Sequence, residues 1–209
     1  MSSDSSHPLV VAITGASGVV YGIRTLQVLR QYPEVETHLI LTTGARLTIT
    51  QECDISLDEV RALADVEHAP TNVGASVASG SFPARGMLVA PCSVKSLSAI
   101  ANSYADNLVA RAADVMLKER RPLVLLFRET PLHAGHIRLM ADATASGATV
   151  MPPVPAFYHR PRTIDDVIDQ TVGRMLDQVG IDAELFERWQ GPRRSTGAPA
   201  TEAPKSLNS

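Results

Sequence analysis

Short strand-like runs, most of them continuously apolar, recur along the first three quarters of the chain. They cover residues 9–14, 36–41, 87–90, 123–127 and 148–151. Short apolar runs are typical of strands that are buried on both faces, as in a parallel sheet. Helix-like segments lie between and after them, at residues 19–31, 42–52, 56–65, 97–101, 108–121, 137–146 and 163–180. The alternation predicts an α/β fold with a mostly parallel sheet.

Two segments have no such periodicity. Residues 66–86 form a long connection that is rich in small polar residues, which is typical of a lid or a binding loop. His68 lies alone in this connection, where we expect a surface residue. Residues 152–161 contain too many prolines for an interior strand, so they predict a stiff loop at the edge of the sheet.

Residues suited to ligand binding follow the ends of the predicted strands. In open parallel sheets, ligands bind outside the carboxyl ends of the strands. Residues 15–18 (GASG) follow the first strand and precede a helix, which suits an anion because the backbone can approach closely and the helix N-terminus favours negative charge. A plain tight turn is the alternative interpretation. The segment is not G-x-G-x-x-G and lacks the P-loop lysine, which disfavours dinucleotide and ATP binding.

Residues 91–131 place more polar chemistry between two apolar strands. The hydroxyls of Ser93 and Ser96 stand at a helix start and suit a phosphate, although Ser93 could simply cap the helix. Arg111, Asp114 and Lys118 share one face of the next helix, where a solvated, salt-bridged surface is the alternative. The second strand ends in Arg128 and Glu129.

Composition narrows the classes of function. The 209 residues, 44% hydrophobic and 20% charged with a net charge of −3, predict one domain at residues 9–190, between disordered tails at 1–8 and 191–209. The charge offers no electrostatic case for nucleic acid. No apolar run is long enough to span a membrane, and residues 1–7 lack the pattern of a signal peptide, so we expect a cytoplasmic protein.

Metal and disulfide sites are not indicated. The chain has two cysteines, Cys53 and Cys92, which are too few for a disulfide framework or a zinc cluster. His133 and His136 are three residues apart, but no third ligand accompanies them.

Six ordered motifs resemble those of the flavin prenyltransferases, the UbiX-like family, across roughly residues 9–189. They are ITGASGVVYGIR (13–24), SGSF (79–82), PCSVKSLSAIA (91–101), DNLVARAADVMLKERRPLVL (106–125), RETP (128–131) and PPVPAFYHRP (152–161). The resemblance implies a flavodoxin-like (Rossmann-like) three-layer sandwich. It further implies that a prenyl group passes from dimethylallyl phosphate to N5 and then C6 of reduced FMN, without a metal. The prenylated FMN would serve a UbiD-type decarboxylase, and the enzyme would be a homododecamer.

The resemblance also implies roles for individual residues. The positions matching those that bind FMN are Gly15, Ala16, Ser17, Thr42, Ser93, Val94, Lys95, Ser96 and Arg128. The positions matching those that handle the substrate phosphate are Arg111, Lys118, Tyr158 and Arg174. The catalytic positions are Ser17, Glu52, Lys118 and Glu129, and we assign Glu129 the proton relay during ring closure. Arg111 and Lys118 would serve the flavin of a neighbouring subunit. Trp189 matches an aromatic position near the site, with packing of the last helix as the alternative.

Some positions depart from the family pattern. Arg138 and Leu139 stand where many members have Glu-Asn, which suggests the subgroup found beside aromatic-acid decarboxylases, and Thr42 replaces a common serine.

Two other functions are alternatives to the flavin prenyltransferase. A flavin-dependent cysteine decarboxylase would carry P-A-S-A-N-T where this chain has PCSVKS at 91–96. A non-catalytic FMN carrier or regulatory subunit would not need Lys118, Glu129, Tyr158 and Arg174 together.

Overall fold

A parallel sheet forms the centre of the computed structural model, which describes residues 8–189 and 191. Of the two predicted tails, only Pro8 and Gly191 belong to the described residues. The strands are β1 (Leu9–Ile13), β2 (Thr37–Leu41), β3 (Val66–His68), β4 (Gly86–Cys92), β5 (Leu123–Phe127) and β6 (Thr149–Val150). The helices are α1 (Val19–Leu29), α2 (Thr43–Glu52), α3 (Leu57–Ala62), α4 (Val94–Ala101), α5 (Leu108–Lys118), α6 (Ala134–Ala145) and α7 (Ile164–Asp177).

The six strands run in the order β3-β2-β1-β4-β5-β6, and every pairing is parallel. The strand order reverses between β1 and β4, which makes their carboxyl ends the expected place for a ligand. Without the short edge strand β3, the order is the flavodoxin-like one. The predicted α/β, flavodoxin-like fold is therefore confirmed.

Helices cover both faces of the sheet. Alternate residues of β1 point to opposite sides, with Leu9, Val11 and Ile13 in one core and Val10 and Ala12 in the other. Helices α1, α2, α3 and α7 pack on the first core, whereas α4, α5 and α6 pack on the second. This arrangement explains why the strands read as continuous apolar runs, since neither face meets water.

Helix α1 lies unusually close to the sheet. A Cβ atom added to Gly22 would lie 2.2 Å from the carbonyl oxygen of Ala90, so only glycine fits at this crossing. The close approach brings the loop before α1 next to the end of β4.

The long connection at 66–86 differs from the prediction. It contains the edge strand β3 and a 3₁₀ helix at Ser76–Ala78. The strand was missed because its three residues, Val-Glu-His, carry no apolar run. His68 is also not a free surface residue: its ring is half-buried and its Nε2 lies 2.8 Å from Nδ1 of the buried His38.

Candidate functional site

Thr14 ties the end of β1 to the end of β4. Its hydroxyl donates to the carbonyl oxygen of Pro91 at 2.7 Å and accepts from the backbone N–H of Ser93 at 2.8 Å. The buried side chain thereby fixes the loop at 15–18 relative to the start of α4. Two of the predicted phosphate-binding segments are therefore adjacent in space.

The loop at 15–18 also meets the turn after β2. A Cβ atom on Gly15 would lie 2.9 Å from the Cα of Gly44, so the two backbones touch where a side chain would not fit. Gly15 and Ser17 are exposed. The loop leaves an open cradle of backbone and a hydroxyl at the sheet edge, which suits a phosphate group.

Glu52, at the end of α2, reaches back to the same loop. Its Oε2 accepts a hydrogen bond from the N–H of Gly18 at 2.8 Å, and Gly18 has a φ of 92°, which favours glycine. The sequence placed Glu52 among the site residues only by family resemblance. The structure brings its carboxylate to the residue after Ser17.

Three hydroxyls of the predicted flavin site lie at helix starts. Thr42 caps α2 by accepting from the N–H of Ala45 at 3.2 Å. Ser93 caps α4 by accepting from the N–H of Ser96 at 3.3 Å, and it donates to the hydroxyl of Ser96 at 3.2 Å. The capping role foreseen as the alternative for Ser93 is thus present. Within the same turn, Lys95 is exposed and Val94 is half-buried.

Arg128 and Glu129 follow β5 at the same edge. The N–H of Arg128 donates to the carbonyl oxygen of Cys92 at 3.2 Å, and both side chains are half-buried. Tyr21, one turn into α1, is close enough to Arg128 for charge coupling. Burial raises the pKa of Tyr21, while the positive charge of Arg128 opposes that shift. The three segments at 15–18, 93–96 and 128–129 therefore form one surface.

A cavity of about 560 Å³ is lined by Tyr158, Arg174, Phe186, Arg188 and Trp189. Tyr158 accepts a hydrogen bond from Nε2 of Gln170 at 3.4 Å, and its ring meets that of Trp189 edge-on at 6.0 Å. Two residues predicted to handle the substrate phosphate thus share one cavity with the predicted aromatic residue. The ring of Trp189 is largely exposed, so it is not a buried packing residue of the last helix.

Arg111 and Lys118, both on α5, have other contacts. Arg111 donates to the carbonyl oxygen of Ala78 at 3.2 Å and to Asp114 at 3.0 Å. Lys118 pairs with Glu119 at the end of α5, which lies near the amino ends of the strands. Among the described residues, neither cation forms a hydrogen bond or ion pair with the segments at 15–18, 93–96 and 128–129.

The remaining candidate groups do not form a metal site among the described residues. His133 and His136 stack at 3.7 Å, and the described residues contain no group of three His, Cys, Asp or Glu side chains that could hold a metal ion. Arg138 is exposed, whereas Leu139 packs against the second core. No helix among the described residues is long and apolar enough to cross a membrane.

Reasoning from the sequence missed four residues of this region. They are Thr14, Tyr21, Gln170 and Arg188. Thr14 could have been noticed as a polar residue that directly follows a buried strand. The other three carry no local signal, since their partners lie far away along the chain.

Comparisons with known proteins show which sequences and structures the chain is similar to. The family model described as "Flavoprotein" matches residues 1–177. "Flavin prenyltransferase UbiX" of Escherichia coli K12 is 60% identical over 185 residues, which are 88% of this chain and 98% of the relative. The crystal structure of AnUbiX (PadA1) in complex with FMN and dimethylallyl pyrophosphate has a TM-score of 0.86 and 52% identity, covering 88% of this chain and 98% of that one. The dodecameric FMN-dependent UbiX-like decarboxylase from Escherichia coli O157:H7 also has a TM-score of 0.86, with 47% identity and coverage of 88% and 100%.

Proposed function

The chain belongs to the flavin prenyltransferase family of flavoproteins, and from this premise we propose how its own residues transfer a dimethylallyl group to N5 and C6 of reduced FMN. The observation that carries the proposal is the surface formed by three segments, 15–18, 93–96 and 128–129. Hydrogen bonds through Thr14 and Cys92 hold these segments together at the carboxyl ends of the strands.

The surface fits the flavin. The close contact of Gly15 with Gly44 leaves backbone exposed where a Cβ would intrude, and the hydroxyls of Thr42, Ser93 and Ser96 line the neighbouring helix starts. We assign the FMN phosphate and ring system to this surface, with Arg128 as its cation. When bound, reduced FMN supplies the nucleophilic nitrogen and carbon that accept the prenyl group.

We assign the donor to the cavity of Tyr158 and Arg174. A monophosphate is a modest leaving group, so negative charge develops on its oxygens as the allylic C–O bond breaks. Cations and donors fixed in advance at that position stabilise the transition state and are usually the largest catalytic contribution. Tyr158 and Arg174 supply a hydroxyl and a guanidinium there, and Ser17 lies between the two ligands in our assignment.

We assign the proton transfer to Glu129. Closing the ring at C6 requires one proton to be delivered to the alkene and one to be removed from C6, so a single carboxyl group can do both. Glu129 is half-buried at the end of β5, and Oε1 accepts from the N–H of Thr130 at 2.9 Å, which orients the carboxyl group.

Arg111 and Lys118 act on a neighbouring subunit in this proposal. The support for this assignment is that, among the described residues, Arg111 and Lys118 form no hydrogen bond or ion pair with the segments at 15–18, 93–96 and 128–129. The UbiX-like relative from Escherichia coli O157:H7 is described as dodecameric. We propose the same assembly here, with sites completed between subunits.

The recipient of the product is a further proposal. Prenylated FMN would leave for a UbiD-type decarboxylase, as the family resemblance implies. The cytoplasmic location stays a prediction from the sequence. The competing functions are disfavoured: the relatives named flavin prenyltransferase oppose a cysteine decarboxylase, and an FMN carrier would not require the cavity with Tyr158 and Arg174.

An anaerobic assay tests the proposed function. The purified protein is mixed with reduced FMN and dimethylallyl phosphate, and the extracted flavin is examined by mass spectrometry. We expect a gain of one C5H8 unit, with none in the mixture without protein. A parallel reaction with dimethylallyl diphosphate identifies the donor, since the relative AnUbiX was crystallised with the pyrophosphate. Unmodified FMN from a protein that binds it, with both donors, would favour the carrier.

A further inference from the structure

A second arginine lines the cavity that contains Tyr158 and Arg174. Arg188 belongs to the segment that follows α7, and its guanidinium borders the cavity together with Arg174 and Trp189. We propose that Arg188 is a second phosphate-binding residue of the donor site, held beside Arg174 by a carboxylate that both arginines share. The proposal rests on the transferase function proposed above, and it adds a residue that determines affinity for the donor.

The shared carboxylate belongs to Asp177. Its Oδ2 accepts from Arg174 at 2.8 Å and from Nη1 of Arg188 at 3.0 Å, while its Oδ1 accepts from Nη2 of Arg188 at 2.7 Å. The Asp177 side chain is only 14% exposed. Two guanidinium groups this close would repel each other, and a largely buried carboxylate between them offsets the repulsion and fixes their orientation.

Packing holds Arg188 from the other side. A Cβ atom on Gly173 would lie 2.8 Å from two ring carbons of Phe186, so the absence of a side chain lets this ring dock on α7. The guanidinium carbon of Arg188 lies 5.6 Å from the centre of the same ring, a cation–π distance. The segment that contains Phe186 and Arg188 therefore packs on α7 at Gly173, one residue before Arg174. This packing positions Arg188 together with its ion pairs.

Both arginines keep donors for an anion. A guanidinium has five N–H groups, and the hydrogen bonds within the described residues use three in Arg188 and one in Arg174. The side chains are 49% and 45% exposed. Because both border the cavity, their remaining N–H groups can converge on the terminal phosphate of an allylic donor, whether it is a monophosphate or a diphosphate.

Substitution of Arg188 tests the assignment. Loss of a charge-assisted hydrogen bond predicts that Arg188→Ala raises the KM for the donor on the order of 10-fold to 100-fold. The affinity for FMN should stay unchanged. The donor KM of Arg188→Lys should lie between those of the wild type and Arg188→Ala, because lysine keeps the charge but lacks the planar, forked guanidinium. Competitive inhibition by inorganic phosphate should weaken by a similar factor to the KM, which a purely structural role would not produce. The two donors are measured side by side, and the one with the larger KM change is the one that Arg188 contacts.

Arg30→Ala is the matched control. Arg30 is also a half-exposed arginine paired with a carboxylate, Asp65, but it does not line the cavity. We expect its donor KM to match the wild type. A wild-type enzyme that transfers the prenyl group, together with an Arg188→Ala variant of unchanged KM for both donors, would overturn the role of Arg188 alone. A wild-type protein without transfer would instead contradict the proposed function, and inorganic phosphate binding to the wild type and Arg188→Ala, measured by calorimetry, would then decide the role of Arg188.

Discussion

Arg24 on α1 and Asp169 on α7 form a bidentate ion pair, with contacts of 2.6 and 3.0 Å. The pair joins α1, which begins directly after the loop at 15–18, to α7, which carries Gln170 and Arg174. It therefore connects the two halves of the proposed site across one face of the sheet.

Arg24→Ala should lower the free energy of unfolding by about 1–2 kcal/mol, because it leaves a partly buried carboxylate without its charge-assisted partner. Urea unfolding of the purified protein measures the change. Arg30→Ala removes an exposed pair of 3.4 Å and should change stability by less than about 0.5 kcal/mol. Equal losses of unfolding free energy in the two variants would show that the bidentate pair stabilises the fold no more than the exposed pair does.

Lys118→Ala should keep FMN binding yet lose prenyl transfer, because it removes charge from the donor phosphate and leaves the flavin surface intact. Equilibrium titration with FMN and the mass-spectrometric assay measure the two properties. A parallel loss of FMN affinity would count against a role at the donor phosphate.

Co-assembly shows which subunit Lys118 serves. In mixed oligomers of Lys118→Ala and Glu129→Gln chains, a site between subunits can receive both wild-type residues. Random mixing in equal amounts would then restore roughly a quarter of wild-type activity. Mixed oligomers with no more activity than the separate variants would place Lys118 and Glu129 in a site from one chain.

Glu129→Gln should slow ring closure by about 100-fold or more, since an amide cannot relay the proton. FMN affinity should change little, because the glutamine oxygen can still accept from the N–H of Thr130. Single-turnover absorbance spectra under anaerobic conditions follow the step. Glu34→Gln, at an exposed position, serves as the control. Wild-type turnover in Glu129→Gln would remove this residue from the mechanism.

The pair of His38 and His68 should make stability depend on pH. Burial lowers the pKa of His38 against the opposing effect of Glu36, and burial together with the charge of His38 lowers the pKa of His68. The unfolded chain therefore binds protons more readily below its histidine pKa of about 6.5. The contribution of these two groups to the free energy of unfolding should be constant above pH 7. It should fall as the pH drops through 6.5, by at most about 1.4 kcal/mol per pH unit for each ring.

Urea unfolding between pH 5 and 7.5 measures this slope. His68→Gln should reduce it. Asp65, near His38, has a lowered pKa and changes stability only as the pH falls below about 4, outside this range. A slope that is the same in wild type and His68→Gln would exclude the histidine pair as its source.

The sequence by itself determined the order of strands and helices, the GASG loop and the helix starts at Thr42 and Ser93. These features depend on short-range physics: apolar runs, glycine conformations and side chains that cap the next turn. The resemblance to the family added Glu129, Tyr158 and Arg174 as predicted site residues. The short strand β3 escaped because three polar-rich residues carry no periodic signal.

Only the tertiary structure decided which distant groups meet. Asp177 joins Arg174 to Arg188, Glu52 reaches Gly18, and Lys118 lies near the opposite edge of the sheet from Glu129. Such contacts depend on how helices pack on the sheet and on close approaches such as that of Phe186 to Gly173. Local periodicity does not encode these distances, because each is the sum of many packing interactions between segments far apart along the chain.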